Sequence, residues 1–328
     1  VNGGGGEAAL PGGALRRSGG RVVAVEAAHA GLRRVPASIA KLRGLRRIDL
    51  DGNLLEHLPA EVCALPRLHT LLLYANRLRS VPHELGDAPL LRNLSLGANR
   101  LAEVPGRLWR LRGLRTLNLA ENALTRLPEH IARLSRLRML DLGHNRLDEL
   151  PAEVGDLAGL TDFLYLSGNR LTRLPESLGR LRRLDYLGAT DNRLTGLPEA
   201  IGDMAGLREL RLYRNRIERL PDSIGGLGAL RELHAAGNRI GELPSSIGAL
   251  GGLMHLDLRG NPLQRLPATV SGLVNLRRLD LRGARLDALP EALAELPRLE
   301  KLDLRWTKIE RRPAWLGALR RRGCVVLV

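Results

Sequence analysis

Asp257, Asp280 and Asp303 stand 23 residues apart, and each is followed two positions later by an arginine, Arg259, Arg282 and Arg305. Carboxylates repeated in this way could hold a divalent cation or move a proton, since both tasks need an anionic oxygen held in place. The arginine beside each one argues against both, because a guanidinium favours the ionised carboxylate and competes with a metal for it. The two columns read instead as a self-neutralising surface ladder, or alternatively as a charged docking strip for a partner whose own charges insert between them. A second group, Phe163, Tyr165, Tyr186, Thr190, Arg211, Tyr213 and His234, concentrates tyrosine and arginine, which are enriched at the centres of protein interfaces. His29, His144, His234 and His255 are spread along the repeats and are not expected to converge on a zinc ion. Cys63 and Cys324 are too few for a disulfide framework or a four-cysteine zinc site, and Cys324 has no identifiable His and Asp partner to make it a nucleophile. HExxH, paired CxxC, GxSxG and the kinase motif set are absent from the sequence. The expectation is therefore a non-enzymatic chain with no catalytic residue, no metal and no cofactor.

A period positions these side chains. Asn53, Asn76, Asn99, Asn122, Asn145, Asn169, Asn192, Asn215, Asn238 and Asn261 recur every 23 residues, with a single step of 24 between Asn145 and Asn169. The register continues to Ala30 on one side and to Ala284 and Thr307 on the other, 13 positions in all, and a proline stands six residues after every one, from Pro36 to Pro313. Within one unit, Leu111, Leu114, Leu117 and Leu119 precede Asn122, while Leu124 and Leu127 follow it. The Leu-x-Leu alternation predicts a short strand, and Ile131 and Leu134 have the three-residue spacing of a helical turn. One such unit cannot bury its apolar edge, but stacked units can. Alternation along the strand places the residues four and two positions before each asparagine opposite the buried leucines. That face carries Tyr165, Ser167, Thr190, Arg211, Tyr213 and His234, together with the aspartate and arginine columns.

The composition agrees with a leucine-built core, since hydrophobic residues make up 44% of the 328 residues and aromatics only 2%. The balance of 51 Lys+Arg against 35 Asp+Glu gives a formal charge of +16. Part of it is a row immediately after the asparagine position, Arg77, Arg100, Arg146, Arg170, Arg193, Arg216, Arg239, Arg285 and Lys308. Such a row could track a phosphate backbone or an anionic surface, but it lacks a recognised nucleic-acid motif or exposed stacking residues, and a solvated stripe is the preferred reading. No stretch is apolar for the length of a membrane span, and Val22 to Ala30 is too short and too polar for a secretory signal, so a cytoplasmic location is expected. Residues 1–20, rich in glycine, are expected to be a disordered tail, followed by the repeat array over 21–328 with 307–328 as a terminal cap.

The period, the LxxLP segments and the asparagine column together resemble the leucine-rich repeat superfamily, in particular the 23-residue type found in intracellular Ras-group proteins and in many bacterial proteins. The resemblance runs from about Arg21 to the C-terminus. It implies an α/β repeat solenoid of about 13 repeat positions, with a curved parallel sheet on the concave face and short helical segments on the convex face. It also implies a ladder in which the ten asparagines turn inward to satisfy backbone groups. The function it implies is protein binding on the concave face, as a scaffold, inhibitor, signalling or specificity module. The face residues are then Tyr165, Ser167, Thr190, Arg211, Tyr213, His234, Asp257, Arg259, Asp280, Arg282, Asp303 and Arg305. The chain is expected to be a monomer, with nucleic acid or an anionic surface as the alternative partner.

Overall fold

A computed structural model of the chain describes residues 10–328. The chain divides into two compact units, Val1–Leu147 with Leu157–Leu160 and Asp148–Asp156 with Thr161–Val328.

In the first unit, β1 (Leu15–Ser18) runs antiparallel to β2 (Arg21–Glu26), and β3 (Arg47–Asp49), β4 (Thr70–Leu72), β5 (Asn93–Ser95), β6 (Thr116–Asn118) and β7 (Met139–Asp141) follow as successive parallel neighbours. The tail expected over residues 1–20 is corrected by β1. Gly19 and Gly20 both take positive φ and close a tight turn, which folds Leu15–Ser18 back along β2 and covers the open edge of the ladder. The expectation over residues 1–9 falls outside the described residues.

In the second unit, β8 (Phe163–Tyr165), β9 (Tyr186–Gly188), β10 (Glu209–Arg211), β11 (Glu232–His234), β12 (His255–Asp257), β13 (Arg278–Asp280) and β14 (Lys301–Asp303) pair in parallel and in register. β15 (Val325–Leu327) extends the ladder on β14. The central residue of each three-residue strand points into the core, from Leu164 through Leu187, Leu210, Leu233, Leu256 and Leu279 to Leu302, all between 0% and 2% exposed. The extra residue of the 24-residue step lies at Thr161–Asp162, just ahead of β8.

The segments predicted as helical turns are mostly five-residue 3-10 turns such as Glu129–Arg133 and Glu199–Asp203, with α1 (Ala60–Cys63) taking the α form. Proline starts them because its fixed φ suits the extended residue ahead of the turn, as at Pro198 with φ −65° and ψ 149°. Each turn buries at least one apolar side chain, Ile131 or Ile201 for instance. A longer helix, α2 (Trp315–Arg321), leads into β15 and buries Leu316 and Leu319.

Each tight bend after a strand leaves backbone groups that the ladder cannot pair. At Asn238 the side-chain amide takes up three of them. Its Oδ1 accepts from the Ile217 N–H at 3.1 Å, and its Nδ2 donates to the carbonyls of Leu212 and Ala235, both at 2.9 Å. Ile217 and Leu212 belong to the preceding repeat, so the side chain ties two repeats together while only 6% exposed. Asn192, Asn215 and Asn261 make the same connections in this unit, and Asn76 and Asn145 do so in the first.

Candidate functional site

The strands of the second unit present three columns of side chains on the face opposite the leucines. Two are those placed by alternation, four and two residues before each asparagine. The third is the first residue of each strand, Phe163, Tyr186, Glu209, Glu232, His255, Arg278 and Lys301. Strand register sets these residues side by side, with Tyr186 opposite both Phe163 and Glu209, and Glu232 opposite both Glu209 and His255.

At the start of this face, Phe163, Tyr165 and Tyr186 form one aromatic cluster. The rings of Phe163 and Tyr165 stack at 5.6 Å and 13°, and Tyr186 tilts against both at 5.8 and 4.9 Å. Tyr186 lies down over Gly188, where a Cβ would come within 2.9 Å of its Cε1 and hydroxyl. This leaves Tyr186 buried and Phe163 exposed at 39%. The Arg211 guanidinium sits 5.5 Å from the centre of the Tyr186 ring, and its Nε donates to the Glu209 carboxylate. An exposed arginine beside stacked rings can meet both apolar and anionic groups.

Beyond Arg211 the face becomes polar and partly buried. The His234 ring is 5% exposed, with Nδ1 2.6 Å from the Tyr213 hydroxyl and Nε2 2.8 Å from a Glu232 carboxylate oxygen. In the neutral ring, the carboxylate can only accept, so Nε2 carries the proton and Nδ1 accepts from the tyrosine. Burial, reinforced by Asp257, pushes the Tyr213 hydroxyl up to about 12, which keeps it a donor. His255 packs edge-on against His234 with ring centres 4.9 Å apart. Burial first, and then His234 beside it, push the His255 imidazole below its ordinary value. One ligand-capable atom from each of Glu232, His234 and His255 lies within 4.8 Å of the others. The expectation that the histidines stay apart is thus corrected for this pair: they stand at different repeat positions, but adjacent strands and even spacing turn them to the same face. His234 is also corrected from an exposed contact to part of the floor.

The aspartate and arginine columns pair within their repeats, Asp257 with Arg259 at 3.3 Å, Asp280 with Arg282 at 2.6 Å and Asp303 with Arg305 at 2.7 Å, and Arg282 also reaches Asp303 at 3.5 Å. The arginines lie over the carboxylates, so Asp257 and Asp303, expected on the surface, are buried. The two differ electrostatically. Burial raises the Asp257 carboxyl, and the Arg259 backbone N–H and guanidinium do not offset it. At Asp303 burial acts the same way, but the hydrogen bonds from Arg305 and the charge of Arg282 outweigh it and hold the carboxyl below its ordinary value. Asp303 therefore contributes stability that is present above its unfolded-state pKa of about 3.9 and lost as the pH falls through its lower folded value. Asp257 does the reverse, its contribution weakening as the pH rises through its raised folded value. Asp303→Asn is expected to cost about 2 kcal/mol at pH 7, the worth of a charge-assisted hydrogen bond, with a deficit that shrinks through the acid range. Asp257→Asn keeps an acceptor for the Arg259 N–H and is expected to stabilise at pH 7. Urea unfolding of both variants checks this, and shifts of the same sign would refute it.

The basic row lies off this face. Arg170, Arg193, Arg216, Arg239 and Arg285 are exposed, and the backbone N–H groups of Arg193, Arg216 and Arg239 bond to the preceding repeat.

A family model described as a leucine-rich repeat region matches residues 99–188, and another described as leucine rich repeat matches residues 43–101, 190–240 and 251–309. Among solved structures, a leucine-rich repeat protein of Leptospira interrogans is 31% identical with a TM-score of 0.83, covering 91% of this chain and 82% of its own. An internalin of Listeria monocytogenes, InlF, shares the fold at 21% identity and a TM-score of 0.79, covering 94% of this chain and 86% of its own. The plant peptide hormone receptor RGFR1, solved in complex with RGF2, is 25% identical with a TM-score of 0.63, covering 89% of this chain and 56% of its own. No curated protein matches the chain. Among the described residues, no helix is long and apolar enough to cross a membrane.

Proposed function

Because the chain belongs to the leucine-rich repeat family, we propose that it is a non-enzymatic binding module that docks a protein partner on the strand face of its second unit, around Arg211 and Tyr213. The observation that carries this reading is the exposed Arg211 guanidinium, set against the Tyr186 ring of the aromatic cluster, with the Tyr213 and His234 pair on the neighbouring positions of the face. These groups stand on, or in the case of Tyr213 two residues after, short paired strands whose central leucines are buried, so the surface is in place before a partner arrives and little ordering opposes binding. Arginine and tyrosine on such a support are the residue types that dominate interface energetics. The peptide-hormone complex of RGFR1 shows a relative of this fold engaging a peptide ligand, which supports the class of partner.

The test is affinity capture at physiological salt with the intact chain and with an Arg211→Ala, Tyr213→Ala variant, one sample treated with nuclease, followed by titration of the captured protein. The variant is expected to bind that partner at least tenfold more weakly, while an Arg193→Ala, Arg216→Ala, Arg239→Ala variant binds as the parent does. Undiminished binding by the strand-face variant would overturn the assignment. Capture abolished by nuclease and by loss of the basic row would move the function to nucleic acid, with a steep salt dependence as its signature.

A further inference from the structure

We propose that Glu232, His234 and His255 form a binding site for one divalent transition-metal ion of borderline hardness, for which Zn²⁺ is the natural probe. The site stands on its own geometry and does not depend on the partner reading. Two imidazoles and one carboxylate are a donor set suited to such ions, and three protein ligands leave a coordination position open toward the strand face. Register supplies the convergence: Glu232 is directly opposite His255 on the neighbouring strand, and His234 follows Glu232 by two residues on the same side.

The donor atoms lie within 4.8 Å of one another, while ligands at about 2.05 Å around a tetrahedral zinc are roughly 3.3 Å apart. Small side-chain rotations close the difference. The Glu232 side chain is 45% exposed and can swing, and His255 is half-buried. His234 is the fixed member, held by packing and by Tyr213 behind it. A ligating histidine ordinarily gives its second N–H to an acceptor, which fixes the ring. Here binding at Nε2 moves the imidazole proton to Nδ1, and the Tyr213 oxygen, 2.6 Å away, turns from donor to acceptor. Glu232 exchanges its hydrogen bond with Nε2 for the metal. The Glu209 carboxylate, with an oxygen 4.0 Å from Nε2, adds negative charge beside the cation.

The full chain, without an affinity tag and stripped by a chelator, is titrated with Zn²⁺ by calorimetry and with Co²⁺ by visible absorption. One equivalent of Zn²⁺ is expected to bind, and Co²⁺ is expected to give ligand-field bands. His255→Ala and Glu232→Gln are each expected to weaken Zn²⁺ at least tenfold and to diminish those bands. Zn²⁺ is expected to raise the melting temperature of the parent and not of the His255→Ala variant. Should His255→Ala fail to fold, Glu232→Gln, altered at an exposed carboxylate, decides the question. Absence of saturable one-to-one binding would overturn the site. So would an affinity unchanged in both variants, which would assign the metal to other histidines of the surface.

Discussion

Asn238→Ala is expected to destabilise the fold by about 3 kcal/mol, because it removes a side chain that bonds three backbone groups at once. The substitution strands the Ile217 N–H and takes one of two amide donors from each of the Leu212 and Ala235 carbonyls, which keep Asn215 and Asn261, beneath a residue only 6% exposed. The stranded N–H costs about 1–3 kcal/mol and each hydrogen bond lost from a carbonyl that keeps a second donor about 1 kcal/mol, and water reaching the new gap offsets part of the sum. Asn238→Asp is an informative companion. It preserves shape and keeps an acceptor for Ile217, but turns a second oxygen toward two carbonyls, so it is expected to be nearly as damaging at neutral pH. Arg239→Ala, at the exposed neighbour, is expected to stay within about 0.5 kcal/mol of the parent. Because repeats contact chiefly their neighbours, amide exchange in Asn238→Ala is expected to accelerate most around residues 212–240. A loss below about 1 kcal/mol in urea would show that the amide fills space and does not hold the repeats together.

The asparagines and leucines were legible in the sequence because every repeat poses the same local problem, a bend with unpaired backbone groups and an edge that must be buried, and solves it with the same residues. The face was legible by alternation for two of its columns. The third column is one further step of the same alternation, and it went unassigned because the residues there share no chemistry: Phe163 and Tyr186 are aromatic, Glu209 and Glu232 acidic, His255, Arg278 and Lys301 basic. Without that column His255 has no reason to meet His234. Depth was not legible either. Alternation says which face a side chain takes, whereas the burial of Asp257, Asp303 and His234 depends on long neighbours lying across them. β1 escaped because it contains no repeat signature, its only signal being the Gly19–Gly20 turn that folds it onto β2.

Gly202→Ala is expected to cost about 3 kcal/mol although it adds a single methyl group. Gly179, Gly202, Gly225 and Gly248 recur 23 residues apart, each four residues after its repeat's proline. At Gly202 an added Cβ would lie 2.2 Å from the carbonyl oxygen of Ser223 and 2.9 Å from its carbon. The obstacle is the backbone of the next repeat's turn, so no side chain can rotate aside and the turns themselves must separate. Strain from an extra methyl in a packed interior is ordinarily about 1–3 kcal/mol, and a backbone obstacle puts this site at the upper end. The turn Glu199–Asp203 leads into β10 and the turn Asp222–Gly226 into β11, so glycine at this position sets, from behind, the spacing of the strands that carry Arg211 and His234. Gly228→Ala supplies the contrast. Nothing lies within 4 Å of its added Cβ, and the change is expected to be neutral or to stabilise by up to about 1 kcal/mol through the unfolded chain. Equal unfolding midpoints for the two variants in urea would show that the turns can move apart freely and that the glycine column does not set the spacing of the repeats.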